Sequence, residues 1–149
     1  MNQNPLLADP QALTLESLTS KDTQVVLVVK TIHTVAPCPK CHQPSSRVHS
    51  HYERTVADLP CLGVTVQIQL LTRRFFYANQ TCVRQIFCER LPRVVAAYGR
   101  QTVRLNDVLD LIGMMLGGQP GALLALNLGM PISPDTLLTS STRRFSRMY

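Results

Sequence analysis

Tryptophan is absent from this 149-residue sequence, and all aromatics together make up only 5% of it. Aliphatic side chains must therefore supply most of any core. Charged residues are also few, at 16% against 45% apolar, which excludes a disordered chain. No apolar run approaches the ~20 residues that a membrane-spanning helix needs. Met1 to Pro10 shows no basic stretch followed by an apolar one, so no export signal is read there and a cytoplasmic location is expected. In a reducing compartment the five cysteines read as metal ligands or buried thiols rather than disulfides. The length suits one ordinary domain or two small ones.

What the chain does have is positive charge in its middle. Residues 38–104 carry ten basic side chains against Glu53, Asp58 and Glu89, a net +7, mostly arginine. Residues 1–37 sum to −1, and residues 105–149 balance. Arginine's planar fork suits phosphate, and clustered arginine favours a polyanion through counterion release. The competing explanation is a solvated basic surface with no partner.

Leu13–Leu18 and Val25–Ile32 read as strands joined by the polar segment Thr19–Thr23. The second has apolar residues at both parities and is expected to be buried on both faces. Arg47–Arg54 is a third strand candidate. In Thr65–Phe76, Val64, Val66, Ile68 and Leu70 alternate with polar residues, the pattern of a half-buried strand. Gln85–Glu89 adds a short last strand. After Pro92 the period changes: a helix spans Thr102–Leu116 and stops at Gly117-Gly118, and a second opens at Pro120 and ends at Gly129. Ser133-Pro134-Asp135 starts a third, with Ser133 as N-cap. The expected fold class is α+β: a small β-rich, zinc-ribbon-like module over residues 1–91, then a three-helix, helix-turn-helix module over residues 92–149.

Cys38-Pro39-Lys40-Cys41 has the spacing of a zinc knuckle. The rival is a thioredoxin-like redox pair, but that motif opens a helix, and here strands lie on both sides. A structural zinc needs four ligands. Cys82 lies beyond the long strand, where a facing knuckle belongs, and its companion would fall near Tyr77. Cys88, Cys61, His42 and His49 are the other candidates for the fourth place, with Cys88 named first.

The runs CPKCHQPSSRVHSHYERTVADLP, LTRRFFYANQTC and RQIFCERLPRVVAAYGRQTVRL together resemble the N-terminal region of ISL-three family transposases. The resemblance covers roughly residues 12 to 138. It implies an N-terminal zinc-binding module, a helix-turn-helix and, in the family, a DDE-type catalytic domain. By position, Cys38, Cys41 and Cys82 match three family zinc ligands, and Tyr77 stands where the fourth cysteine usually is. The segment GALLALNLGMPISPDTLL matches the helix-turn-helix; after Leu138 the match fails, as in a truncated gene copy.

Double-stranded DNA at the element ends is therefore the expected partner, with room for a homodimer and no membrane. Zn2+ is the expected cofactor, and the location is cytoplasmic and nucleoid-associated. Arg73 and Arg74, at the end of the long strand, are candidate phosphate contacts. Asp135, Thr136 and Thr139 are candidates for base edges, with Arg143 and Arg144 for phosphates. The alternative for the helices is an ordinary bundle. None of the nine acidic residues sits on an alternating strand-and-helix scaffold suited to two-metal chemistry, so no catalysis is expected. A regulator of transposition, a non-functional remnant and a zinc-stabilised interaction module are the alternative functions.

Overall fold

Asp22 and Thr23 close an antiparallel hairpin between Leu13–Lys21 (β1) and Gln24–Thr31 (β2). The turn is shorter than the polar segment suggests, because Thr19, Ser20 and Lys21 all pair with β2. These elements come from a computed structural model that describes residues 4–77, 79–83 and 85–148; the side chains of Arg144, Phe145, Arg147 and Met148 lie outside it.

Two two-residue strands, Ala36–Pro37 (β3) and Pro44–Ser45 (β4), pair across the Cys38–Cys41 turn. Val48–Cys61 (β5) and Val64–Phe76 (β6) form the longest hairpin. Its turn has positive φ at both Leu62 (52°) and Gly63 (77°), the conformation that matches strand twist in a two-residue loop. β5 runs seven residues past the Arg54 expected from sequence. Pro60, which cannot donate to a ladder, falls where the register shifts between Asp58 and Cys61.

β6 pairs with β5 along one edge and in parallel with β2 along the other, giving the order β1-β2-β6-β5. Beyond Leu71, where β2 ends, Ile86–Cys88 (β7) takes over that second edge, antiparallel to Arg74–Phe76. Leu13, Leu27, Val29, Val56, Val66, Ile68 and Leu70 form the main core, closed by Leu7, Leu91, Val94 and Val95. On the opposite face Val26 and Val28 pair with Gln67 and Gln69 and are only half-buried. Burial of β2 on both faces is thus not what the fold delivers: a polar row from β6 stands beside it. Near the end of β6, alternation sends Phe75 to this second face, into a separate core with Ala36, Cys38 and Phe87.

Three helices follow: Val103–Leu116 (α1), Gly118–Asn127 (α2) and Pro134–Met148 (α3). Thr102 caps α1, its hydroxyl accepting from the Leu105 amide at 3.2 Å. Ser133 caps α3 in the same way through the Thr136 amide, also at 3.2 Å. Leu105, Leu109, Ala122, Ala125, Met130 and Leu137 make the helical core, with Leu59 of β5 against it. Gly129 (φ 89°) turns the chain between α2 and α3 and lies against the β5–β6 turn; a side chain there would meet Pro60 and the Gly63 carbonyl. The α+β class expected from sequence is what the fold shows. Val94 and Val95, just past the sequence boundary at residue 92, pack into the β core. Among the described residues no helix is long and apolar enough to cross a membrane.

Candidate metal centre and basic surface

Pairing of β3 with β4 folds Cys38–Cys41 into a tight turn. The Cys38 amide donates to the Gln43 carbonyl and the His42 amide to the Cys38 carbonyl, each at 2.9 Å. The Lys40 amide points at the Cys38 sulfur at 3.3 Å, as in a knuckle shaped to present thiolates. Beneath it Phe75 and Phe87 stack with ring centroids 5.7 Å apart, and Tyr77 meets Phe87 edge-on at 6.1 Å. Cys82 arrives on a second turn after β6, held by the Cys82 amide on the Asn79 carbonyl. The sulfurs of Cys38, Cys41 and Cys82 all lie within 4.8 Å of one another. Three soft donors at that separation, on two turns over a packed aromatic base, fit the ligand chemistry of Zn2+. The arrangement is compatible with zinc binding and supplies three protein ligands.

Burial tends to raise the Cys38 thiol, which is 1% exposed. Hydrogen bonds from the Tyr77 hydroxyl, from the Cys41 and Lys40 amides and from the Cys41 thiol outweigh it, and bring the pKa down from 9.0 to about 7. A thiol so placed is close to its ligand form at neutral pH.

The other fourth-ligand candidates lie elsewhere. Cys88 pairs with Arg74 on β7 and interacts with Tyr52, on the sheet face opposite Phe75. Cys88, one candidate for the open fourth place, thus lies outside the cluster: β7 has the register that aims Phe87, not Cys88, at the metal core. Cys61 is exposed at the far turn of the β5–β6 hairpin. His42 is exposed, and His49 lies against Phe76 with its ring nitrogen on Ser50. The Tyr77 hydroxyl, by contrast, is 2.5 Å from the Cys41 sulfur and also engages Cys38 and Cys82. Sequence reasoning marked position 77 only as a missing cysteine.

Residues 34–82 match the family model of the zinc-finger of transposase IS204/IS1001/IS1096/IS1165. The match supports the transposase resemblance. It spans about a third of the chain, from just before the first knuckle to Cys82, and takes in the long β5–β6 hairpin. No curated protein matches the chain, and no solved structure does.

The arginines divide into two sets. Arg73 has its guanidinium on Glu89 (3.2 and 2.8 Å) and on the Thr31 hydroxyl (2.8 Å), with a further bond to the His33 carbonyl. Glu89 is 5% exposed, so this fork serves the junction of β2, β6 and β7. Arg104 is likewise engaged by Asp58 and the Leu6 carbonyl. The second set faces solvent. Arg74 lies over the Tyr52 ring at 4.9 Å, and Arg47 over Phe76 at 5.2 Å. Both sit at the end of the sheet nearest the Cys38–Cys41–Cys82 cluster. Further along, Arg90 lies over the exposed Tyr98 at 5.5 Å, and Arg93 and Arg100 are exposed. Stacking on a ring holds the guanidinium plane while leaving its edge open to phosphate.

On α3, Asp135, Thr136, Thr139 and Arg143 are all exposed, and Thr139 donates back to the Asp135 carbonyl at 2.9 Å. These residues line a groove shared with Asp107 and Asp110 of α1. Three carboxylates there leave the groove with little attraction for an anion. The Arg144 side chain lies outside the described residues.

Proposed function

We propose that the chain is a DNA-binding module of a transposition system that recognises the terminal inverted repeats of its element and does not itself cut DNA. The observation that carries this is the transposase-type zinc finger over residues 34–82 beside solvent-facing arginines stacked on aromatic rings. In this reading α2 and α3 act as the helix-turn-helix. Support comes from the Ser133 cap, the glycine turn and the exposed first turn of α3. Arg47, Arg74 and Arg100 hold phosphates, and Thr136 and Thr139 approach base edges. Arg73 drops out of the proposed contact set because its fork is engaged internally.

Exposed Leu123 (62%), Leu126 (59%) and Met115 (75%) on α1 and α2 support pairing of the helical module with another surface, here a second copy. The test is competition binding of the purified chain to an element-end duplex against a scrambled duplex of equal length. Preference for the end of about a thousandfold or more is expected of specific recognition. Equal affinity for both duplexes contradicts the proposal.

A further inference from the structure

Resting on the zinc reading of the Cys38–Cys41–Cys82 cluster, we propose that Tyr77 is its fourth ligand, so that this chain builds a three-thiolate, one-phenolate site. The position is set by the backbone. The Tyr77 amide donates to the Gln85 carbonyl at 2.9 Å just where β6 ends, and the ring is held edge-on against Phe87. Little freedom is left to the side chain, and its hydroxyl falls among the three sulfurs.

Donor chemistry points the same way. The phenol can donate to one sulfur and accept from the thiols of the others, so its oxygen already lies where three soft donors converge. A divalent cation satisfies all four donor atoms at once. On binding Zn2+ the protons of the three thiols and the phenol pass to solvent or buffer, less any already lost, and four metal–ligand bonds form. The resulting charge equals that of a four-cysteine site. Tetrahedral zinc, with bonds of roughly 2.3 Å to sulfur and 2.0–2.2 Å to oxygen, keeps its donors about 3.5 to 4 Å apart. The sulfurs already lie within 4.8 Å of one another, so the hydroxyl need retreat by only about 1 Å from its 2.5 Å contact with Cys41. Among the described residues no other Cys, His, Asp or Glu joins the cluster. A water as fourth ligand would have to take the space that the phenol oxygen occupies.

An ordinary phenol, with a pKa of about 10, is protonated at neutral pH, so phenolate at pH 7 reports the metal itself. The full chain, reduced and stripped of metal, is titrated with Zn2+ at pH 7 while tyrosinate absorbance is followed, and with Co2+ for its ligand-field spectrum. One equivalent of zinc should raise a tyrosinate band in step with binding. Tyr77→Phe, which keeps the contact with Phe87, should abolish the band and weaken binding roughly tenfold or more. Tyr77→Cys should tighten it by a similar factor and turn the cobalt spectrum into that of four thiolates. Zinc binding by the wild type without the band, or unchanged affinity in Tyr77→Phe, overturns the proposal and leaves a zinc site with another fourth ligand. Failure of the wild type to bind either metal overturns both this proposal and the zinc reading beneath it. Should Tyr77→Phe not fold, the wild-type band and the Tyr77→Cys affinity still decide.

Discussion

Replacing Asp58 with alanine should loosen the helices from the sheet. The Asp58 side chain has no solvent exposure. It accepts from the Thr102 hydroxyl at 2.7 Å and from Arg104 Nε at 2.8 Å, with Arg104 Nη2 on its second oxygen. Thr102 is at the same time the N-cap of α1, and Arg104 reaches on to the Leu6 carbonyl at 2.9 Å. One carboxylate thus ties β5 to the start of α1 and, through Arg104, to the N-terminal segment. Its removal leaves a cation without its counter-ion and a cap hydroxyl without its acceptor.

Breaking a buried pair by deleting one partner costs about 3–5 kcal/mol. Arg104 retains 32% side-chain exposure and regains some water, which lowers the figure to about 2–4 kcal/mol. For a domain of this size that is a fall in Tm of roughly 5–15 °C. Urea and thermal unfolding of wild type, Asp58→Ala, Arg104→Met and the double variant measure it. The double variant should lose less than the sum of the singles, because the unpaired charge is gone. A loss below about 0.5 kcal/mol in Asp58→Ala, or strict additivity, refutes the reasoning.

Gly113→Ala drives a methyl into the Ser141 hydroxyl and to about 3.1 Å from Leu137 where α1 crosses α3. A cost of about 1–3 kcal/mol in urea unfolding is expected, part of it recovered by Ser141→Ala. Arg73→Ala should destabilise by about 2–4 kcal/mol through Glu89, whereas neighbouring Arg74→Ala should leave stability within about 0.5 kcal/mol and lower the salt slope of DNA binding by about one. The Cys38 thiol has a lower pKa folded (about 7) than unfolded (9.0), so its contribution is fully present above pH 9 and is lost as pH falls through 7. Urea midpoints of the metal-free protein should therefore rise between pH 6.5 and 9, and Cys38→Ser should flatten that rise.

Local patterns carried the elements well. Period-two alternation located β6, the Pro/Gly/Ser signals bounded the three helices, and the Cys-x-x-Cys spacing marked the first knuckle. These depend on a few adjacent residues, and adjacent residues are what a sequence displays. What was not legible involves partners far apart in the chain. The parallel pairing of β2 with β6, the Arg73–Glu89 pair and the Asp58–Arg104 tie each join segments separated by loops whose closure no local pattern encodes. Arg73 and Arg74 look alike in sequence, but strand alternation sends one onto Glu89 and the other over Tyr52. Position 77 read as a defect because residue type was weighed without direction; the fold places the phenol oxygen among the sulfurs.

The most direct test of the DNA-recognition account is equilibrium binding of the zinc-loaded chain to element-end duplex across a salt series, repeated after chelation and against scrambled duplex. Tight binding to the end, a slope of log K against log salt steeper than about −3, and loss of preference on chelation are the results the account predicts. Weak binding of equal strength to both duplexes, unchanged by chelation, would contradict it and leave only a basic surface.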